Sequence, residues 1–443
     1  MLKIAHITDL HLRHRLPGTS SVCSRRSRLG LTHLREALSQ AKRAHADLVA
    51  ITGDLLDVPM FLVEGMPRGF QPPQTSEDWL ELAIQDYAAV RSLLNQTGIP
   101  WIVLPGNHDW IEAFYQVFPQ PVQHQINGFR IIPFHDHEHA NNTPRRLGEE
   151  WRRFLSVLQD EDPSPQIHLQ HYLFHQPHAN SYPYQYEEAD YMRRAIAESN
   201  RVCLTLSGHR HEGNGTIVEG GTHYVASPAL AEFPYRWRLI EVDSSSVRTH
   251  EHCIQHTSHL RPAMFLDRDG VINDEPSYTW GPERFRLVPG SAQAIRKLNE
   301  QDIPVIVVTS QSCVGSGFVT ESVLHAVHEQ MHALLAAEGA HVDAVYYTTS
   351  AGKHSVLPQY IDLPTAKSSL LLQAAKDLLI DLSQSWIVGD RLTDIEAGIE
   401  AGTQTLLVHT GDGHIHRAEV SKRFPNTLQA DHLLDAISQS ILR

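Results

Sequence analysis

Apolar runs of strand length that stop abruptly in acids, amides and histidines recur along this chain. Trp101-Ile-Val-Leu104 is broken by Pro105-Gly106 and followed at once by Asn107, His108 and Asp109. Leu2 to Thr8 ends at Asp9-Leu10-His11, and Asp47 to Thr52 ends at Gly53-Asp54-Leu55-Leu56-Asp57. A buried strand that ends in a turn of polar groups is how an open α/β sheet presents chemistry. Between these strands the apolar period becomes helical, with Leu34, Leu38 and Ala41 in one interval and Leu80, Ile84, Tyr87 and Leu94 in the next. Strand, polar turn and helix repeated in this order predict a layered α/β sheet. The Pro/Gly-rich insertion from Pro59 to Pro73 reads as a surface loop.

Beyond His108 the spacing predicts strands at Arg130–Phe134 and Gln166–Phe174, with a helix at Leu147–Leu158 between them. The second of these strands contains His168 and His171, and His175 lies just past it. Val202–Leu206 ends at Gly208-His209-Arg210-His211. Thr216–Val218, His223–Ala226 and Arg236–Val242 read as short antiparallel strands closing a first domain, residues 1–252. The polar, His-rich stretch Thr249–Pro262 has no clear period, and the linker is placed at 253–262. A second α/β pattern then fills 263–443. Ala263–Leu266 ends at Asp267-Arg268-Asp269-Gly270, Pro304–Val308 at Thr309-Ser310-Gln311, and Trp386–Val388 at Gly389-Asp390.

Two domains suit a chain of 443 residues. A net charge of −14 without a Lys/Arg run argues against a nucleic-acid partner. No apolar run reaches membrane-spanning length, and the N-terminus enters a strand without a signal peptide, so no membrane partner is expected. Cys23, Cys203, Cys253 and Cys313 are scattered and form no CxxC pair, which predicts neither a disulfide framework nor a Cys-based zinc knuckle. Together these features predict a cytoplasmic protein.

The strand-end residues of the first domain are Asp9, His11, Asp54, Asn107, a histidine near 171, His209 and His211. Carboxylates, imidazoles and one amide oxygen are the ligands two divalent ions need. Asp54 is the natural bridge. A hydroxide held between ions roughly 3.5–4 Å apart is a nucleophile at neutral pH, suited to in-line attack on a phosphate ester. His108 is then left to protonate the departing oxygen.

The ordered set Asp9-x-His11, Gly53-Asp54, Gly106-Asn107-His108-Asp109, a lone His and Gly208-His209-x-His211 resembles the calcineurin-like metallophosphoesterase family. It is most similar to the cyclic-nucleotide phosphodiesterase branch, as is the run Ser227-Pro-Ala-Leu-Ala-Glu-Phe-Pro234. The resemblance implies a layered α/β sandwich and two ions (Mn, Fe or Zn). One would sit on Asp9, His11, Asp54 and His211, the other on Asp54, Asn107, His171 and His209. His171 suits the family position and His175 is its rival. The run His135-Asp-His-Glu-His139 is expected as a solvated edge near the site. Asp57 is expected to support its turn or to bond a ligand from behind, and Arg13 and Arg210, which could meet phosphate, are by default expected on the surface.

In the second domain, two carboxylates at i and i+2 after a strand can share one phosphate. Asp267 can attack it, and Asp269 can act first as acid and then as base. A cation must offset their charge, normally Mg²⁺ on Asp267, Asp269 and Asp390, with Asp394 one helical turn further. Thr309 and Ser310 are placed to hold phosphate oxygens. Phe265-Leu-Asp-Arg-Asp-Gly-Val-Ile-Asn273, Val308-Thr-Ser-Gln-Ser312 and Val388-Gly-Asp-Arg-Leu-Thr-Asp394 resemble the haloacid dehalogenase superfamily, in particular its histidinol-phosphatase and heptose-bisphosphate-phosphatase branch. The resemblance implies a doubly wound, Rossmann-like domain. It further implies Asp267 as nucleophile, Asp269 as acid/base and a small phosphorylated metabolite as substrate.

Three departures stand against it. Ser310 replaces the usual Asn. No Cys occurs between Tyr347 and Pro364, where the branch carries a Cys/His zinc loop. The phosphate-binding Lys is expected at a position held by Thr365, with Lys367 two residues away and Lys353 more distant. Loss of that ammonium removes stabilisation worth several kcal/mol, which predicts a weakened or silent second site. The whole reads as a metal-dependent phosphohydrolase: a dimetal phosphoesterase for a mono- or diester, a cyclic nucleotide among them, followed by a second phosphatase-like domain. The alternatives are a metabolite-sensing fusion and a nucleic-acid phosphoesterase.

Overall fold

The computed structural model describes residues 1–443 apart from 23, 60, 66, 140–141, 176–184, 244–245, 255–259, 275–280, 351–365 and 439–443. Leu2–Ile7, Leu48–Thr52 and Trp101–Leu104 form where the apolar runs predict them, and they pair in parallel in that order. Arg236–Val242 joins the free side of Leu2–Ile7 antiparallel, and Val247–Cys253 pairs antiparallel beyond it. The second of these runs into the stretch Thr249–Pro262 that shows no clear period in sequence. It is the edge of a five-stranded sheet, and polar side chains are what a solvated edge carries.

A second sheet of six strands runs in the order Ile217–Glu219, Thr222–Ala226, Val202–Ser207, Gln166–Leu169, Phe129–Pro133, His124–Ile126. Alternate residues of the two sheets share one core: Leu2, Ile4, Leu48 and Ala50 from the first, Ile131, Ile167, Leu204 and Leu206 from the second. On the outer face of the second sheet, Ile132 and Val202 meet Phe154, Met192 and Ile196 of the helices Gly148–Gln159 and Ala189–Ser199. Two expectations change here. Thr222–Ala226 is antiparallel to Ile217–Glu219 but parallel to Val202–Ser207. The strand from Gln166 stops at Leu169, so His171 lies in the following turn, where its carbonyl accepts from Gly208 N at 2.9 Å.

The chain forms two units, but no single cut separates them. One comprises Met1–Leu16, Arg25–Val58 and Leu80–Gln255, the other Pro17–Ser24, Pro59–Trp79 and His256–Arg443. The one boundary expected at 253–262 therefore misses two earlier segments. Residues 255–259 of that linker lie outside the described residues. The Pro59–Pro73 stretch is not a surface loop. The Phe61 ring packs 4.4 Å from Phe70 and 5.4 Å from Trp79, and all three side chains are buried. Gln71 and Gln330 exchange two hydrogen bonds, at 2.9 and 3.0 Å. Pro and Gly signal irregular backbone, and here irregular backbone carries core side chains.

The sheet of the second unit is wholly parallel, in the order Ala344–Thr348, Val305–Ser310, Met264–Leu266, Trp386–Gly389, Gln404–Val408, Leu428–Ala430. Both faces are covered: Leu266, Val305 and Val307 on one side, Phe265, Ile306 and Val308 on the other. The strand order reverses at Met264–Leu266, so the crevice for a ligand opens where that strand and Trp386–Gly389 end. Asp267 and Asp390 stand at those two ends. Among the described residues, no helix is long and apolar enough to cross a membrane.

Candidate active sites

The polar turns of the first unit converge. Asp9, His11, Asp54 and His209 all adopt positive φ, between 43° and 65°. This left-handed backbone is costly for residues other than Gly and is found where a site requires it. The turns also approach one another closely. A Cβ on Gly53, itself at φ +100°, would lie 2.4 Å from His171 Nδ1, and one on Gly106 would lie 2.2 Å from Asp54 Oδ1. Asp109 ties two of the turns together. Its carboxylate accepts from Leu55 N, Leu56 N, Gly106 N and Tyr87 Oη.

Two groups of ligand atoms result. Asp9, His11, Asp54 and His211 form one, and Asp54, His171 and His209 the other, each with its atoms within 4.8 Å of one another. Asn107 Oδ1 joins the second group, 3.0 Å from His171 Nε2. Asp54 belongs to both. Its Oδ1 accepts from His108 N at 2.9 Å. Its Oδ2 is buried with no hydrogen-bond partner, 3.6 Å from His11 Nε2 and 3.4 Å from His171 Nε2. A buried orphan carboxylate oxygen between two imidazole nitrogens suits a bridging ligand to two cations. Outer contacts fix the rings: His171 Nδ1 meets Thr52 O at 2.7 Å and His211 Nδ1 meets Glu232 Oε1 at 2.7 Å, which leaves each Nε2 facing the site. His175 is elsewhere, paired with Glu219 at 2.7 Å. Of the run His135–His139, expected as a solvated edge, only His137 and His139 are exposed, on a short hairpin with Thr143–Arg145; Asp136 is buried and paired with Arg146 at 2.7 Å.

Beside the ligands, Asp57 takes the second of its two expected roles and bonds a ligand from behind. Its Oδ1 lies 3.5 Å from His11 Nδ1, 3.3 Å from His108 Nδ1 and 3.1 Å from Arg25 Nη1. Burial opposes its charge, but hydrogen bonds from His108 and His11 and the charges of Arg13 and Arg25 hold it well below the usual carboxylate range. Burial likewise opposes protonation of His108, yet Asp54 and Asp57 raise its pKa. Arg13 is not on the surface: it is 2% exposed, and its Nε donates to Asp57 O at 2.6 Å. Arg210 is half-buried rather than exposed, with its Nε 3.3 Å from Glu212 Oε2. Nothing in the local sequence signals Arg25. It reaches the site through backbone pairing with Glu232, inside the run Ser227–Pro234.

Protons and metal compete for this site. Burial works against a charged His171, but Asp54, Asp9 and the Thr52 carbonyl outweigh it and raise its pKa from 6.5 to about 9. In the metal-free protein this pairing stabilises the fold fully below 6.5, and the contribution is lost as pH rises through 9. Metal needs the neutral ring, so the sign for metal is opposite. Affinity for Mn²⁺ or Zn²⁺ is expected to rise about tenfold per pH unit between these limits, with release of about one proton per site. Calorimetry in buffers of different ionisation enthalpy measures this. A pH-independent affinity would exclude His171 as a ligand.

In the second unit, Asp267, Asp390 and Asp394 present carboxylate oxygens within 4.8 Å of one another. Asp390 Oδ1 is buried with no hydrogen-bond partner, which fits a cation ligand. The ammonium expected to be missing is present: Lys367 Nζ lies 2.6 Å from Asp267 Oδ2 and 2.5 Å from Asp394 Oδ1. Lys367 is the first residue of the helix Lys367–Leu378, from which side chains tilt back toward the N-terminus. Thr365 and Lys353 lie outside the described residues. Asp394 also accepts from Arg391 N at 3.0 Å, so it orients the lysine.

The carboxylate of Asp269, expected among the cation ligands, turns instead to Arg268, Gln311 and Asn273, at 2.9, 2.9 and 3.0 Å. Despite burial, those three partners lower its pKa. Burial raises Asp267 to about 6, with Lys367 opposing and Asp394 and Asp269 adding to the rise. Burial and the charge of Asp267 raise Asp390 to about 7. Asp267 and Asp269 border a cavity of about 410 Å³ whose walls include Thr309, Ser310, Lys367, Ser368 and Arg391. Arg268, Gln311 and Asn273 lie within the strand-end motifs, but their grip on Asp269 shows only in three dimensions.

Comparison with known proteins divides the chain in the same sense. A family model described as calcineurin-like phosphoesterase matches residues 2–213, and one described as HAD-hydrolase-like matches residues 366–436. The D-glycero-D-manno-heptose-1,7-bisphosphate 7-phosphatase of Thermosynechococcus vestitus is 40% identical over 159 residues, 34% of this chain and 81% of that protein. The D-glycero-beta-D-manno-heptose-1,7-bisphosphate 7-phosphatase of Escherichia coli is 35% identical over 153 residues, 34% of this chain and 80% of that protein. Among solved structures, a D,D-heptose 1.7-bisphosphate phosphatase from B. bronchiseptica complexed with magnesium and phosphate is 29% identical. The match covers 41% of this chain and 98% of that one, with a TM-score of 0.37.

Proposed function

For a chain that belongs to the calcineurin-like phosphoesterases over residues 2–213 and, in its C-terminal part, to the HAD-like hydrolases that include the heptose-bisphosphate phosphatases, we propose two phosphate-ester hydrolases with separate machinery in one polypeptide. The observation that carries the first is Asp54 Oδ2, buried, unpartnered and shared by two ligand groups. Asp9, His11, Asp54 and His211 would hold one ion, and Asp54, Asn107, His171 and His209 the other. Two bound ions supply Lewis acidity and lower the pKa of water to near neutrality. His108 keeps a proton through Asp57 and Asp54 and delivers it to the leaving oxygen. The substrate is a phosphate mono- or diester, and the cyclic-nucleotide branch makes a cyclic diester the first to try.

The second unit hydrolyses a small phosphate monoester, and a phosphorylated sugar is the class its relatives suggest. Asp267 attacks phosphorus while the alcohol leaves with a proton from Asp269. Asp269 then takes a proton from water, which attacks the aspartyl-phosphate and frees Asp267 and inorganic phosphate. The low pKa of Asp269 suits the second step. For the first step, the anionic phosphate beside it favours the protonated form. Asp267 and Asp390 would hold Mg²⁺, which offsets phosphate charge. Lys367 supports the reading that this site turns over, because it stands at the nucleophile where the ammonium is needed.

The test is a panel of a p-nitrophenyl monoester, a bis(p-nitrophenyl) diester and a 3′,5′-cyclic nucleotide, assayed before and after chelation. Mn²⁺ is expected to restore diester cleavage, and Mg²⁺ alone to restore a monoesterase. A chain that regains neither under any divalent ion is not this enzyme.

A further inference from the structure

We propose that Arg25 binds the phosphoryl group of the substrate in the first site and favours a doubly charged monoester over a diester. The inference rests on the dimetal phosphoesterase reading above and adds a residue that the ligand motifs do not contain.

The argument begins with the charges around Asp57. One carboxylate faces two guanidiniums. Arg13 is buried against it, with Nη2 3.4 Å from Oδ2 and Nε on the Asp57 carbonyl at 2.6 Å. Arg25 Nη1 stands 3.1 Å from Oδ1, and His108 Nδ1 stands 3.3 Å from the same oxygen. Arg13 already matches the charge of Asp57, so Arg25 is in surplus. Arg25 Nε is buried with no hydrogen-bond partner.

The second link is the position of that surplus charge. Arg25 Nη1 is 3.4 Å from His108 Nε2, the ring atom that would serve the leaving oxygen. The two atoms border the same space, and the guanidinium offers donors only. An anionic oxygen between them accepts from both, and a guanidinium fork holds a second oxygen of the same phosphoryl group. The position is built into the fold. Arg25 pairs through its backbone with Glu232, whose carboxylate holds His211, and Arg26 N donates to Ala231 O at 2.9 Å. The guanidinium is thus fixed relative to a ligand histidine and to the proton donor. A monoester dianion offers more charge and one more free oxygen than a diester, so it gains more from this contact.

The experiment uses the metal-loaded full chain in an Asp267→Asn background, which removes the monoesterase of the second unit. Arg25→Ala and Arg25→Lys are compared for KM and kcat on the monoester and the diester, for inhibition by inorganic phosphate, and for metal content. Arg25→Ala is expected to raise the monoester KM and the phosphate inhibition constant by about tenfold to a hundredfold. The diester KM is expected to change by less than about threefold, metal content to hold, and Lys to recover part of the loss. Equal changes for both esters, or loss of metal in both variants, would overturn the proposal. If the chain with Arg25 intact hydrolyses neither ester, the dimetal reading itself fails. Calorimetry with inorganic phosphate then still decides the arginine: equal affinity in all three chains sinks it.

Discussion

Asp54→Asn is expected to lower diester hydrolysis by about a thousandfold or more and to reduce bound transition metal. The substitution keeps shape and removes the charge that both ligand groups share. It also places an amide nitrogen where Oδ2 now faces His11 and His171. Burial opposes the Asp54 charge, but His171, His108 and His11 hold its pKa well below 3.8 in the metal-free protein. The sign follows from linkage. That stabilisation is present above 3.8 and disappears as pH falls through the lower folded value. Metal-stripped Asp54→Asn should therefore unfold more easily than the parent at neutral pH, by about 3–5 kcal/mol, as for other buried ion pairs that lose one partner. In strong acid the difference should vanish. Metal analysis, diester kinetics and denaturant titration check the three parts. Full diester activity with full metal content would remove Asp54 from the bridging position.

Asp267→Asn is expected to abolish the second activity, by about a thousandfold or more in kcat, because it removes the nucleophile and not a supporting group. Any monoesterase of the first unit would mask the loss, so the assay belongs in the Asp54→Asn background. Lys367→Ala should be nearly as severe, since it leaves Asp267 and Asp394 facing each other without the ammonium that now lies between them. A doubly substituted chain, Asp54→Asn with Asp267→Asn, that still cleaves the monoester would place the chemistry elsewhere.

Much of both sites was legible in the sequence, because strands that end in polar turns announce their chemistry locally. Asp9, His11, Asp54, Asn107, His209 and His211 each follow a strand by a few residues, and the sheet brings those ends together. His171 was legible by order, although its strand stops at Leu169. What stayed hidden depends on distance in space. Arg25 arrives through pairing with Glu232, far along the chain. The burial of Arg13 comes from a carboxylate whose own turn is set elsewhere. Lys367 is hidden because the family pattern points to a lysine ahead of the helix, whereas here it is the first residue of the helix. The Pro59–Pro73 stretch hides its packing for a related reason. Phe61 and Phe70 have no local period, and only Trp79 and the second unit show why they are apolar.

The division of the chain also bears on how such a protein can be taken apart. Pro17–Ser24 and Pro59–Trp79 lie early in the sequence yet belong to the later unit. A break at 253–262 would leave the C-terminal piece without Phe61, Phe70, Trp79 and the partner of Gln330. The N-terminal piece would keep two stretches whose packing partners had gone. Gene order and fold order thus part company. Excision of the later unit is therefore expected to need Pro17–Ser24 and Pro59–Trp79 together with His256–Arg443.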